Sequence, residues 1–265
     1  FRCGQVRAPG QVRSLSNMIV CSRHLRGADA AVILPTAARS VSNCIHTLRS
    51  TMHLAEGVIT SPLVLGGGYA VACAGVAMGL RKLDETQAMR TAVMASSFFV
   101  ASLVHIPLFG VPVHLSLTGL LGIVLGWAAF PAVFVALILQ TVLFGFGGIT
   151  TLGINTCIMA LPAVVAWYVY RLLRLDHLGP SAPAACGVLG ACAVALASLM
   201  LALVLTTAGE ALVPIAWSVL AAQLPVIVIE GFVTASVVVF LRKISPELLV
   251  GAALRGATEG GDGGL

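Results

Sequence analysis

Residues 91–170 read TAVMASSFFVASLVHIPLFGVPVHLSLTGLLGIVLGWAAFPAVFVALILQTVLFGFGGITTLGINTCIMALPAVVAWYVY, 80 residues without one Asp, Glu, Lys or Arg. A helix that crosses a bilayer needs roughly 20 apolar residues, so this stretch alone has room for several crossings. Backbone facing lipid must satisfy its own hydrogen bonds, which leaves helices or a closed barrel. Barrel strands alternate polar and apolar residues over about 10 positions, and Pro131-Ala-Val-Phe-Val-Ala-Leu-Ile-Leu does not alternate. Helices are therefore predicted. The chain as a whole agrees, with 58% hydrophobic and 9% charged residues, against about 25% charged in soluble domains. The fold class is all-α, a polytopic bundle of membrane helices.

Apolar segments fall at about residues 62–80, 91–109, 115–129, 131–146, 154–173, 186–207 and 212–241. Pro131 divides the 32-residue uncharged run Leu115–Phe146, which is read as two helices joined by a tight turn near Trp127–Pro131. The count is about seven transmembrane helices, or six if one segment is short or re-entrant. Basic residues concentrate in cytoplasmic loops. With Met52 outside, alternation over seven helices puts Arg81, Lys82, Arg90, Arg171, Arg174, Arg242, Lys243 and Arg255 all inside. The outer loops 110–114, 145–153 and 207–211 contain no Lys or Arg. A multi-pass protein of the cell inner membrane with a cytoplasmic C-terminus is expected.

Residues 1–51 differ from this body. They hold seven Arg and one Asp, a charge of +6, whereas residues 52–265 hold eight basic and nine acidic residues, a charge of −1. The overall +5 thus gives no reason to invoke nucleic acid. The 1–51 segment is expected to be upstream translated sequence, with initiation at Met52; a transit-type presequence has the same composition. Residues 52–244 form the expected membrane domain, and 245–265 a mobile, Gly-rich tail. The seven Cys are scattered without a Cys-x-x-Cys pair, and no disulfide framework is inferred.

The orientation gathers Met52-His53, the His105–His114 segment and Gly145–Gly153 at the outer face, without a cation nearby. Histidine in that setting could receive a divalent metal. Met52-His53-Leu-Ala-Glu56-Gly57 resembles the opening of the CbiM/NikM family, the substrate-specific components of energy-coupling-factor transporters for cobalt and nickel. His105-Ile-Pro-Leu-Phe-Gly-Val-Pro-Val-His114 resembles its second histidine segment. Phe144-Gly-Phe-Gly147-Gly148-Ile-Thr-Thr-Leu-Gly153-Ile-Asn155 resembles its Gly-Gly-Leu-Thr-Thr-Leu-Gly-x-Asn loop. Gln223-Leu-Pro-Val-Ile-Val-Ile-Glu230-Gly231 resembles a late motif that usually opens His-Leu-Pro, with Gln223 the departure. The four ordered motifs cover about residues 52–245.

A chain that starts Met-His offers an amine, the His53 amide nitrogen and its imidazole, forming two fused chelate rings. A fourth in-plane nitrogen completes a square, a geometry that suits Ni(II) or Cu(II) and that Co(II) can share. The resemblance implies that His114 supplies that nitrogen, giving Met52, His53 and His114 as metal ligands. A metal-bound imidazole is usually held through its other nitrogen, and Glu56 could serve. His105 is either a transient ligand or a histidine bonded to a carbonyl. Glu230, an acid deep in an apolar segment, is a functional candidate or a packing hydrogen bond. Gly147, Gly148 and Asn155 shape the floor or lid of the pocket.

No phosphate-binding Gly-x-x-x-x-Gly-Lys-Ser/Thr loop, His-Glu-x-x-His or Gly-x-Ser-x-Gly occurs, so the chain is expected not to be an enzyme. The resemblance implies separate ATP-binding subunits, a transmembrane coupling subunit and a small accessory membrane subunit. The expected substrate is Co2+ or Ni2+, with no permanent cofactor. The rivals are a stand-alone metal permease and a capture subunit for an organic vitamin. The His-Ile-Pro segment leans the reading toward cobalt.

Overall fold

The computed structural model describes Leu54, residues 56–108, residues 111–244 and Leu249, all within one compact unit of residues 47–265. Met52, His53 and the N-terminal segment lie outside the described residues, as does the tail apart from Leu249.

Seven α-helices are found among the described residues. Helix α1 spans Pro62–Arg81, with Pro62 in the first turn, where its missing N–H costs nothing. Asp84 caps α2 (Glu85–Leu103) by accepting from the Gln87 backbone N–H at 2.7 Å. A short antiparallel hairpin follows, β1 (His105–Leu108) and β2 (Val111–His114), with His105 opposite His114 and Pro107 opposite Pro112. Then come α3 (Thr118–Leu125), a 3-10 turn at Gly126–Ala128, and α4 (Ala129–Phe144). Helices α5 (Leu152–Leu172), α6 (Ala182–Thr207) and α7 (Val213–Ile244) complete the bundle. Among the described residues, five stretches are long and apolar enough to cross a membrane: Pro62–Arg81, Thr118–Phe144, Leu152–Leu172, Gly179–Thr207 and Val213–Ile244. Helix α2 has the length, but Gln87, Arg90, Ser96 and Ser97 dilute its apolarity.

Two departures from the expected segments matter. The segment read as a helix over 91–109 ends at Leu103, and its last part is strand. Pro107 and Pro112 remove backbone donors that a helix would need, while β-branched Val111 and Val113 suit a strand. The next segment yields only an eight-residue helix, α3. At a rise of about 1.5 Å per residue this covers roughly 12 Å of a 30 Å hydrocarbon layer. Helix α3 and the 3-10 turn after it occupy the stretch expected to be one helix. The turn into α4 sits at Gly126, whose φ of 57° is cheap only for glycine. Pro131 lies in the first turn of α4 rather than in the turn itself.

Helix α3 fits inside the bundle because small residues let it approach. A methyl group on Gly119 would overlap the Gly190 backbone of α6, and one on Gly122 would overlap the Ala163 carbonyl of α5. Opposite its far end, Gly126 packs against Trp167 of α5.

Contacts define two ends of the bundle. At one, Gly79 of α1 meets Trp127 and Pro131, and the Trp127 indole N–H donates to the Tyr168 hydroxyl at 3.1 Å. Arg171 stacks 4.7 Å above the Trp167 ring, and Arg242 donates to the Gly179 carbonyl. The helix ends carrying Arg81, Arg171, Arg242 and Lys243 thus share this end. At the other, Phe99 of α2 lies 6.0 Å from Phe144 at the close of α4.

Candidate functional site

His114 closes β2 and is 3% exposed. The sequence reading set its segment at the outer face, yet its ring lies inside the bundle. With Ser116, which precedes α3, and with Thr118, Met159, Ser198 and Gln223 from α3, α5, α6 and α7, it lines a small cavity. The cause is the short α3: a chain that must begin a half-length helix in the interior carries the preceding residues in with it. The enclosed volume is about 30 Å³, enough for one water-sized sphere. No cationic residue is among those that line it.

The His114 Nδ1 lies 2.9 Å from the Leu115 carbonyl oxygen. A carbonyl only accepts, so this contact puts the proton on Nδ1 and makes Nε2 the lone-pair nitrogen, the form that ligates metals. Next in the chain, the Ser116 and Leu117 backbone N–H groups and the Ser116 hydroxyl all donate to one oxygen, Oε1 of Glu230 on α7. The last two distances are 3.1 Å for the hydroxyl and 2.7 Å for the Leu117 amide. Thr118 donates to the Ser116 hydroxyl oxygen at 2.9 Å. Glu230 is completely buried. Three donors thus converge on that oxygen at the N-terminal end of α3, where the helix dipole favours an acceptor.

The motif ending in Asn155 does a different task. The Asn155 carboxamide oxygen accepts from the Leu54 N–H at 2.9 Å, and its NH2 donates to the Leu54 carbonyl at 3.2 Å. Thr151 donates to the same carbonyl at 2.6 Å. Leu54 is buried, packed with Ile158 and Leu201 in one apolar cluster. Its anchor, Asn155, sits one turn of α5 before Ile158 and Met159, which line the His114 cavity. The residue directly after Met52-His53 is therefore tied near that cavity.

Glu56 is engaged by the loop that leads into α5. Its carboxylate accepts from the Thr150 N–H at 3.2 Å and lies against Gly148, where any side chain would collide with it. Gly147 turns the loop with a φ of 75°, and Tyr69 donates to the Ile149 carbonyl. Glu56, Gly147 and Gly148 thus form a clasp at the start of α5. His105 is placed only through its backbone, as the strand partner of His114. Among the described residues no three His, Cys, Asp or Glu side chains could hold one metal ion. His114 contributes a single nitrogen, and Met52 and His53 lie outside the described residues.

Reasoning from sequence missed Ser116, Ser198 and Gln223 as cavity residues. For Gln223 the signal was present, since it occupies the first position of the late motif, where the family resemblance expects histidine.

The architecture is that of a polytopic bundle of apolar helices. Two solved structures share it. One, titled a truncated transition metal transporter, has a TM-score of 0.61 at 24% identity, covering 72% of this chain and 98% of its own. The other, titled a transition metal transporter, has a TM-score of 0.60 at 23% identity, covering 72% and 93%. The chain belongs to the CbiM family, described as the cobalt uptake substrate-specific transmembrane region, whose model matches residues 53–248. A Haemophilus influenzae protein assigned to metal transport is 40% identical over 205 residues, 75% of this chain and 97% of its own length. Cobalt transport protein CbiM of Geobacter sulfurreducens is 32% identical over 218 residues, 75% of this chain and 61% of its own length. That of Sorangium cellulosum is 30% identical over 216 residues, covering 75% and 94%.

Proposed function

We propose that this chain is the metal-capturing membrane subunit of an ATP-driven energy-coupling-factor transporter that imports cobalt or nickel. Residues 52–244 would form the capture domain. The observation that carries the reading is the juxtaposition just described. His114 is buried with Nδ1 tied to a carbonyl, and the residue after Met52-His53 is tied by Asn155 one helical turn away from the same cavity. The Met52 amine, the His53 amide and imidazole, and the His114 imidazole then supply four nitrogens. Such a set favours Ni(II) and accepts Co(II). The ion is cargo, so it enters as substrate.

The end of the bundle that carries Arg81, Arg171, Arg242 and Lys243 faces the cytoplasm in this reading. Separate ATP-binding subunits, a transmembrane coupling subunit and a small accessory membrane subunit complete the transporter, since this chain has no phosphate-binding loop. Metal analysis of purified protein after competitive loading with equimolar cobalt and nickel tests the reading. One tightly held equivalent of either ion is expected, and none would overturn it.

A further inference from the structure

Between β2 and α3 the chain runs through the interior, where every peptide group needs a partner. One peptide unit there, joining Leu115 to Ser116, is engaged at both ends. Its carbonyl oxygen faces His114 Nδ1, and its N–H donates to Glu230 Oε1. A peptide unit is planar, so the carboxylate and the imidazole are coupled through one rigid plate. Leu117 follows with a φ of 49° and ψ of 22°, a conformation that a leucine keeps only when its surroundings hold it. No side chain of α3 itself caps that helix; Glu230 does so from α7, through the Leu117 N–H.

We propose that Glu230 is the positioning residue of His114, acting through the 115–116 peptide. It presents the ring nitrogen Nε2 to the cargo ion without touching the ion. This rests on the metal-capture reading above. Carboxylates that orient metal-binding histidines normally accept from the imidazole directly; here a peptide unit stands between. The bond from Glu230 polarises the peptide, strengthens its carbonyl as an acceptor for Nδ1–H, and raises the donor strength of Nε2. A packing role alone would call for volume and no charge. Three hydrogen bonds to Glu230 instead come from the segment that follows His114.

The test uses wild-type and variant proteins purified in detergent from the native membrane, titrated with Ni(II) by calorimetry and by its d–d absorption band. Glu230→Leu keeps approximate volume but removes the acceptor. It is expected to weaken affinity about 10–100-fold and to shift the band. Glu230→Gln retains an acceptor oxygen without the charge, and is expected to recover part of the affinity and the wild-type band. Thr234→Ala lies one turn along the same helix and is also buried; it should leave both readouts unchanged. Wild-type affinity and band in Glu230→Leu would overturn the proposal, as would an equal loss in Thr234→Ala. If His114→Ala abolishes binding while Glu230→Leu does nothing, the positioning claim alone fails. If the wild-type protein binds no Ni(II), or His114→Ala binds like it, the metal-capture reading fails and this proposal falls with it.

Discussion

His114 shows how little of a site a single residue type reveals. Histidine beside an apolar run is conspicuous, and so are Glu230 and Asn155, because polar groups inside a membrane domain need a reason. All three stand at structural junctions. What no sequence displays is the 115–116 peptide group, since backbone donors and acceptors look alike at every position. Ser116 and Ser198 were equally hidden, as serine is common on packed membrane helices. Replacing His114 by Ala is expected to abolish high-affinity metal binding while the protein stays monodisperse in detergent, because the ring borders a small cavity and carries no helix. Unchanged affinity by calorimetric titration would remove His114 from the ligand set.

At the level of elements, the helical class was legible throughout and helix length in the second half of the chain. Helices α5, α6 and α7 fall within a few residues of the segments read from apolarity. The His105–Leu117 stretch was not, because a hairpin plus a half-helix and a single spanning helix are equally apolar. Prolines 107 and 112 mark where a helix stops without saying that the chain then turns inward. Depth is set instead by close approach, at Gly119 against Gly190 and at Gly122 against Ala163. The Gly122→Val change would drive a branched side chain into the Ala163 carbonyl. Overpacking of this kind costs about 1–3 kcal/mol, so a lowered thermal midpoint in detergent is expected. Because α3 carries the Ser116–Leu117 junction, metal affinity should fall with it. A variant with unaltered melting would show that α5 can move aside.

On the scale of the molecule, the chain holds helices, a buried polar junction and no nucleotide-binding device that its sequence reveals. By itself it is expected to hydrolyse no ATP and to move metal slowly or not at all across a vesicle membrane. Concentrative, ATP-driven uptake by vesicles containing only this protein would refute the subunit assignment. The mature, metal-binding protein is also expected to begin at Met52, since a residue joined in front would turn the ligating amine into a poorly donating amide. Intact mass of protein from the native membrane decides this, and a metal-loaded chain that retains residues ahead of Met52 would sink the amine-ligand model. The anchoring of Leu54 sharpens that expectation. Held at N–H and carbonyl by Asn155, it works as the fixed zero of a ruler. Two extended residues reach about 7 Å beyond such a point, and one more adds about half that again. Selectivity for the right ion would then depend on counting residues as well as on their chemistry. An otherwise intact Met-His start, moved one position along the chain, would miss its mark.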